Sequence, residues 1–151
     1  MAVTTTLYTK FVANAFGGET AGESSAIDFL SDTIKVALCS SSYTPNQDSH
    51  EFFSDITNEI TGTGYTSGGA TLSSPTITVT GASNLTTFDA ADTTWTTATF
   101  TARYAIIYKS TGTASTSPLI AYIDFGGNQS PSAQDFQIVW NASGIFTATV
   151  P

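Results

Sequence analysis

The sequence predicts an all-β protein, a β-sandwich or barrel of antiparallel strands with one or two short helices. Only 11% of the residues are charged, which is less than half of the usual share of about 25%. Roughly a third of the chain is Ser or Thr, and the β-branched Thr suits a pleated, half-buried surface. From Ala70 onward, short alternating runs are separated by turn residues, a spacing typical of sandwiches and barrels. The alternation does not separate sandwich from barrel.

The length of 151 residues favours a single domain. We predict a β core over residues 26–151 and an N-terminal contact arm or helix over residues 1–25. Leu7, Phe11 and Ala15 would share one face of a helix from Leu7 to Phe16, and Gly17 would end it.

The first clear strand prediction is "DTIKVALCS", in which Ile34, Val36 and Leu38 alternate with less apolar residues. A long excursion from Tyr43 to Gly69 follows. In it, Asp48 and Glu51 have the spacing of a capping box, which predicts a second helix at about 49–60.

Glycine-rich "GTGYTSGG" then predicts a flexible loop, in which Gly64, Gly68 and Gly69 would take positive φ. Farther on, Ile77 and Val79 share one face of a strand that follows Pro75, a residue typical of an edge or a strand start.

The segment "TTWTTATFTARYAIIYK" predicts two strands, or one strand with a kink near Thr101 and Ala102. "RYAIIYK" and "PLIAYIDFGG" would form a hairpin around a turn of small residues. Two more strands would flank a turn at residues 141–144.

Composition excludes several classes of partner. The net charge is −8, with four basic residues, and binding to nucleic acid or to anionic membranes needs clustered Lys and Arg.

The N-terminus has no basic region and no long apolar run, so we expect no signal peptide and no membrane span. We therefore expect synthesis in a cytoplasm. Cys39 is the only cysteine, so no intrachain disulfide can form.

Few residues could carry catalysis. His50 is the only histidine, and it is more typical of a helix end or a surface. Asp89 and Asp92 could act as a glycosidase pair or bind a hard cation, but "FDAAD" is also ordinary turn chemistry. Whether they bind a cation stays open. The glycine-rich loop lacks the Lys of a phosphate-binding loop. We predict no enzyme activity and no cofactor.

Three large aromatic side chains and one cation are interpreted as structural. Trp95, Phe100 and Trp140 lie in alternating apolar runs, which favours core packing over a sugar-stacking platform. Arg103 lies in an otherwise uncharged strand and could anchor a carboxylate. The candidates for that carboxylate are Asp89, Asp92 and Asp124.

Four motifs carry a resemblance that spans about residues 25–150. They are H-x-F-x-x-D/E-I-x-x-E-I around His50, G-Y-T-x-G-G, W-T-x-A-T-x-T-A-R-Y and the D-F-G near Phe125. In these the chain resembles a family of small proteins encoded among the structural genes of tailed bacteriophages. The resemblance implies a virion component and leaves both head and tail open as its location. We expect a protein that is made in the host bacterial cytoplasm and lies on the capsid surface.

Within that setting we expect a capsid decoration, or cement, protein that binds the major capsid protein. We also expect a homo-oligomer, with a trimer as the favoured form. The alternative is a tail, baseplate or fibre module that binds host-surface glycans through exposed aromatic residues. The residues that we predict to contact a partner are Tyr43, Asp48, His50, Tyr65 and Phe11.

Overall fold

A computed structural model describes residues 3–18 and 26–151 of the chain. Within them lie ten strands, one short α-helix and three single 3-10 turns, which confirms the all-β prediction. The helix α1 spans Phe11–Ala15, and the strands are β1 Thr6–Leu7, β2 Ile34–Cys39, β3 Ala70–Thr71, β4 Thr76–Thr80, β5 Leu85–Asp89, β6 Thr93–Ala98, β7 Ala102–Lys109, β8 Leu119–Gln129, β9 Gln134–Ile138 and β10 Phe146–Thr149.

The strands form three antiparallel sheets. A five-stranded sheet has the order β1-β8-β7-β2-β3, a three-stranded sheet the order β10-β5-β4, and a two-stranded sheet consists of β6 and β9. The hairpin of β7 and β8 is present as predicted. The segment around Thr101 forms two strands, which join different sheets.

The main core lies between the five-stranded sheet on one side and the two smaller sheets on the other. The alternation predicted for β2 is confirmed, because Ile34, Val36 and Leu38 are all buried in this core. The smaller sheets contribute buried side chains from β6, β9 and β10, including Trp95 and Phe136. This face of the five-stranded sheet is therefore covered.

The opposite face of the five-stranded sheet is also buried. Ala37 and Cys39, which alternate with the core residues of β2, are 0% exposed. They belong to a second apolar cluster with Tyr43 and Tyr108, whose cover is the excursion between β2 and β3. Phe53 stacks on Tyr108 with ring centroids 4.1 Å apart. The excursion is thus a packed cover for the sheet.

The predicted helix from Leu7 to Phe16 is wrong over its first turn. Leu7 belongs to β1 and pairs with Ala121 of β8. The Tyr8 N–H donates to the Ile120 carbonyl at 3.1 Å. Backbone groups that would have bonded within a helix therefore bond to the edge of β8. Residues 3–18 are therefore attached to the body of the protein. A contact role for residues 1–25 stays a prediction, and residues 1–2 and 19–25 lie outside the described residues.

The predicted helix at about 49–60 is also wrong. Only a 3-10 turn, Phe53–Asp55, forms there. The Asp55 carboxylate accepts the N–H groups of Glu51 and Phe52 at 2.8 and 2.9 Å. The residues of the predicted capping box bond elsewhere, Asp48 with the Thr9 hydroxyl and Glu51 with the Lys10 ammonium, each at 2.8 Å. Tertiary partners therefore replace the local cap.

Candidate protein-contact surface

The three-stranded sheet has one apolar face. Its register aligns Ile77 of β4, Phe88 of β5 and Phe146 of β10 in one row. The next row on the same face holds Val79, Thr86 and Ala148.

Helix α1 and the segment before β2 cover half of this face. Phe11 meets the Phe146 ring edge-on with centroids 5.3 Å apart, and Phe29 meets the Phe88 ring edge-on at 5.8 Å. Phe88 and Phe146 stack on each other at 4.5 Å. The helix stops early because Gly17, with a φ of +112°, follows its last turn. A helix of five residues is too short to cover the whole sheet.

Both α1 and the sheet leave large apolar side chains in solvent. Phe16 is 90% exposed, Val79 72% and Val12 56%, while Ile77 is at the edge of the covered region with 37%. Two open grooves of about 260 and 240 Å³ run between α1 and the sheet, and Phe11, Phe88 and Phe146 line both. We call these seven residues the contact surface. Exposed apolar side chains beside apolar grooves are typical of interaction sites.

The contact surface is almost free of charge, although the protein carries a net charge of −8. No charged residue occurs in residues 60–88 or 136–151. In the three-stranded sheet the only charged residue is Asp89, and Asp28 lines one groove. A hydrogen bond from Ser31 lowers the pKa of Asp28. A partner could therefore bury this surface with little desolvation of charge.

The residues predicted to contact a partner have different environments. Phe11 lies within the contact surface. Asp48 is exposed, and His50 and Tyr65 are half-buried. The prediction for Tyr43 is wrong, because its side chain is 1% exposed in the second cluster.

Tyr43 is instead the centre of a buried chain of hydrogen bonds. Its hydroxyl lies 3.0 Å from the Tyr8 hydroxyl and 2.9 Å from His50 Nδ1. Burial raises the pKa of Tyr43 to about 12 and also raises the pKa of Tyr8. This chain joins the N-terminal segment to the excursion, so its role is to hold the cover on the sheet.

The glycine-rich loop, predicted to be flexible, makes several hydrogen bonds to one carboxylate. The Glu59 carboxylate accepts the Tyr65 hydroxyl at 2.6 Å and the Gly68 N–H at 2.5 Å. Gly64, Gly68 and Gly69 do take positive φ as predicted. At Gly69 a Cβ would lie 1.9 Å from the Val36 carbonyl oxygen, so glycine is required by close packing as well as by φ. The carboxylate fixes the loop against β2.

The aromatic residues interpreted as structural are buried. Trp95, Phe100 and Trp140 are 5%, 7% and 5% exposed and belong to the main core. The Trp140 indole N–H donates to the Ala91 carbonyl at 3.1 Å. Neither Trp ring presents a face for sugar stacking.

The charged candidates have local structural partners. Arg103 makes two hydrogen bonds of 3.1 Å to Asp124, which is one of its three candidate carboxylates. Asp89 accepts the N–H of Ala90, and Asp92 accepts the N–H of Trp140 at 3.0 Å. Both carboxylates therefore accept hydrogen bonds from backbone N–H groups. Asp89 does so at the end of β5, and Asp92 in the connection that follows it.

Within residues 3–18 and 26–151, no group of three or more His, Cys, Asp and Glu side chains is arranged to hold a metal ion. Cys39 is buried, and burial raises the pKa of its thiol to about 12. In the same part of the chain, none of the helical structure is long and apolar enough to span a membrane.

Most of the contact surface was missed at the level of sequence. Val12 and Phe16 fall within the predicted helix from Leu7 to Phe16, and Ile77 and Val79 were predicted only to share one face of a strand. The signal that could have found them is the long uncharged stretch around Ile77 together with a terminal Phe placed directly before two glycines.

Comparison of the chain with family models, with curated proteins and with solved structures gave no match.

Proposed function

We propose that this chain is a structural protein of a tailed-bacteriophage virion, and that it decorates and stabilises the capsid. The observation that carries the proposal is the uncharged contact surface on an otherwise acidic protein. The resemblance of the four sequence motifs to phage structural proteins gives the setting.

In this proposal the contact surface binds the major capsid protein on the outside of the shell. Phe16 and Val79 would supply the exposed apolar area, and the grooves lined by Phe11 and Phe88 would receive side chains of the shell. Aromatic residues in well-packed pockets are the usual source of binding energy in protein interfaces.

Stabilisation of the shell follows from mass action. A protein that binds the assembled, expanded shell and not its separated subunits shifts the equilibrium toward the shell. Self-association would add contacts between neighbouring sites. Neither step needs a catalytic group, so we propose no enzyme activity.

The first test is the copy number per virion, measured by quantitative mass spectrometry against the major capsid protein. A shell-wide decoration predicts about one copy per capsid subunit. Particles that lack the protein should also burst at a lower temperature. A count of a few copies to a few tens per particle would contradict the decoration role and favour the tail.

A second test addresses the contact surface directly. Phe16→Ser should weaken binding to undecorated shells and leave the melting temperature nearly unchanged, because the side chain is 90% exposed. Val150→Ser is the matched control, since Val150 is 68% exposed and lines neither groove. Equal binding by both variants and the wild type would refute the assignment of this surface.

The alternative is a tail, baseplate or fibre module that binds glycans. Its aromatic platform could not be Trp95 or Trp140, because both side chains are buried in the main core. A glycan array would test it through the exposed or half-buried tyrosines.

A further inference from the structure

The strand β4 is an edge strand of unusual exposure. It pairs with β5 along one edge only, and all five of its residues are exposed. Alternate backbone N–H and C=O groups of such a strand point away from its neighbour. An unpaired edge of this kind is a template for another strand.

The other sheet edges among the described residues are protected in ways that β4 is not. Strands β1 and β3 are only two residues long. The two-stranded sheet has a register break between Trp95 and Ala98, and β9 carries Asp135. At β10, the Thr5 hydroxyl donates to the Ile145 carbonyl, next to the start of the strand. β4 has no charge, no interior proline and no register break.

The sequence of β4, "TITVT", is complementary to itself. In an antiparallel pair of two copies centred on Thr78, each Thr78 would lie opposite the other. Ile77 would lie opposite Val79, and Thr76 opposite Thr80. Each apolar side chain would therefore meet an apolar one and each hydroxyl a hydroxyl. Cross-strand pairs of these types stabilise sheets.

The absence of charge on β4 permits a second copy to approach at this edge. Two chains of net charge −8 repel each other, so they can meet closely only where both are uncharged. The nearest charge in the sheet is Asp89, which pairs with Thr76 from the next strand. Strand spacings of ~4.8 Å and rises of ~3.4 Å place the two Asp89 residues of such a pair about 20 Å apart. That exceeds the Debye length of about 8 Å at physiological salt.

We propose that β4 pairs with β4 of a second copy of this chain, antiparallel and centred on Thr78, to form one six-stranded sheet across a two-fold axis. Paired residues of a sheet point to the same side, so the two contact surfaces lie side by side on one face. The inference does not rest on the proposed function, because it concerns the isolated protein.

The register is tested with single cysteines in the full-length protein. Thr78→Cys places two thiols on opposed Cα atoms about 4.5–5.5 Å apart, which a disulfide can bridge. Mild oxidation should therefore give a covalent dimer on a non-reducing gel. Cys39 is 0% exposed, so it does not compete.

Thr80→Cys is the matched control, because Thr80 has the same exposure and faces the same side but would lie opposite Thr76. It should not cross-link alone, and it should cross-link when mixed with Thr76→Cys. Equal cross-linking by the Thr78 and Thr80 variants alone, or no cross-linking by the Thr78 variant, would overturn the register.

The edge is tested by mass in solution, using light scattering and sedimentation over a range of concentrations. The wild type should reach two copies, and Thr78→Lys should raise the dissociation constant at least tenfold because like charges would be opposed. Mixing T78K with T78E should restore the dimer. Thr147→Lys is the control, since Thr147 lies in the same row of the sheet at its other edge.

Three results would refute the proposal. The first is a wild type that stays monomeric at several hundred micromolar, which would mean that β4 does not pair with a second copy. The second is equal weakening by T78K and T147K, which would indicate head-to-tail pairing of β4 with β10. The third is a trimer that T78K leaves intact.

Discussion

The five-stranded and three-stranded sheets are built from similar residues and differ in how they are covered. In the five-stranded sheet, Ile107 faces the main core and Ile106 the second cluster, and both are 0% exposed. In the three-stranded sheet, Ile77 and Val79 are 37% and 72% exposed on the partly covered face. The difference shows that the first sheet serves stability and that the second leaves apolar surface available for contacts.

The largest expected effect comes from equivalent truncations in the two sheets. Ile107→Ala should reduce the free energy of unfolding by about 2–5 kcal/mol, because it removes buried methylene groups and leaves a cavity. Ile77→Ala should cost about 1 kcal/mol or less, because its side chain is already partly in water. Chemical denaturation of both variants measures the contrast. Equal losses would mean that the three-stranded sheet is as tightly packed as the five-stranded one.

Alkaline pH should destabilise the cover of the five-stranded sheet. Burial raises the pKa of Tyr43 and Tyr108 from 10.0 to about 12, so the folded protein keeps protons that the unfolded chain releases. The contribution of these two tyrosines to stability is complete below pH 10, and it should fall by a few kcal/mol between about pH 10 and 12. Denaturation at each pH, with tyrosinate absorbance, measures this loss.

Tyr43→Phe is the control for the alkaline loss. The variant should be less stable at neutral pH, because the Tyr8 hydroxyl and His50 Nδ1 each lose a hydrogen-bond partner. Its fall between pH 10 and 12 should be shallower than that of the wild type. An unchanged slope would exclude Tyr43 as a source of the loss.

Loss of the Glu59 carboxylate should loosen the glycine-rich loop. Glu59→Gln places an amide donor among the hydroxyl and N–H donors of Tyr65, Ser67 and Gly68. The expected cost is about 1–3 kcal/mol, with faster hydrogen exchange in residues 62–69. Asp48→Asn is the control, since this exposed carboxylate should change stability by less than about 0.5 kcal/mol. Unchanged exchange in the loop would show that the carboxylate does not fix it.

The smallest effect is expected at the Arg103–Asp124 ion pair, which is exposed. Hydrogen bonding from Arg103 lowers the pKa of Asp124 below its ordinary value of 3.8. The contribution to stability is therefore present above pH 3.8 and is lost as the pH falls through the lowered pKa. Arg103→Gln should be slightly less stable than the wild type at pH 7, and the difference should shrink as the pH falls below 3.8. A difference that does not change with pH would indicate that Arg103 acts by packing.

The sequence predicted those elements whose signal is local. The alternation of Ile34, Val36 and Leu38 placed β2 correctly, and Pro75 correctly indicated an edge or strand start before β4. The turn at residues 141–144 is present, with the Gly144 N–H donating to the Asn141 carbonyl at 2.7 Å. These features depend on backbone preferences of a few neighbouring residues.

The wrong predictions share one physical cause. Leu7, Asp48 and Tyr43 each had a local pattern that a distant segment overrode. Leu7 pairs with Ala121, Asp48 bonds to Thr9, and Tyr43 bonds to Tyr8. Local patterns do not contain the position of such partners.

By itself, the sequence determined the all-β class, the positions of strands such as β2, β7 and β8, and the scarcity of charge, because composition and period-two alternation are properties of the chain. Only the tertiary structure decided which faces are covered. The excursion containing Tyr43 closes one sheet, whereas α1, stopped at Gly17, is too short to close the other. Coverage depends on which distant segments meet, and that is settled when long-range contacts offset the entropy of closing the loops between them.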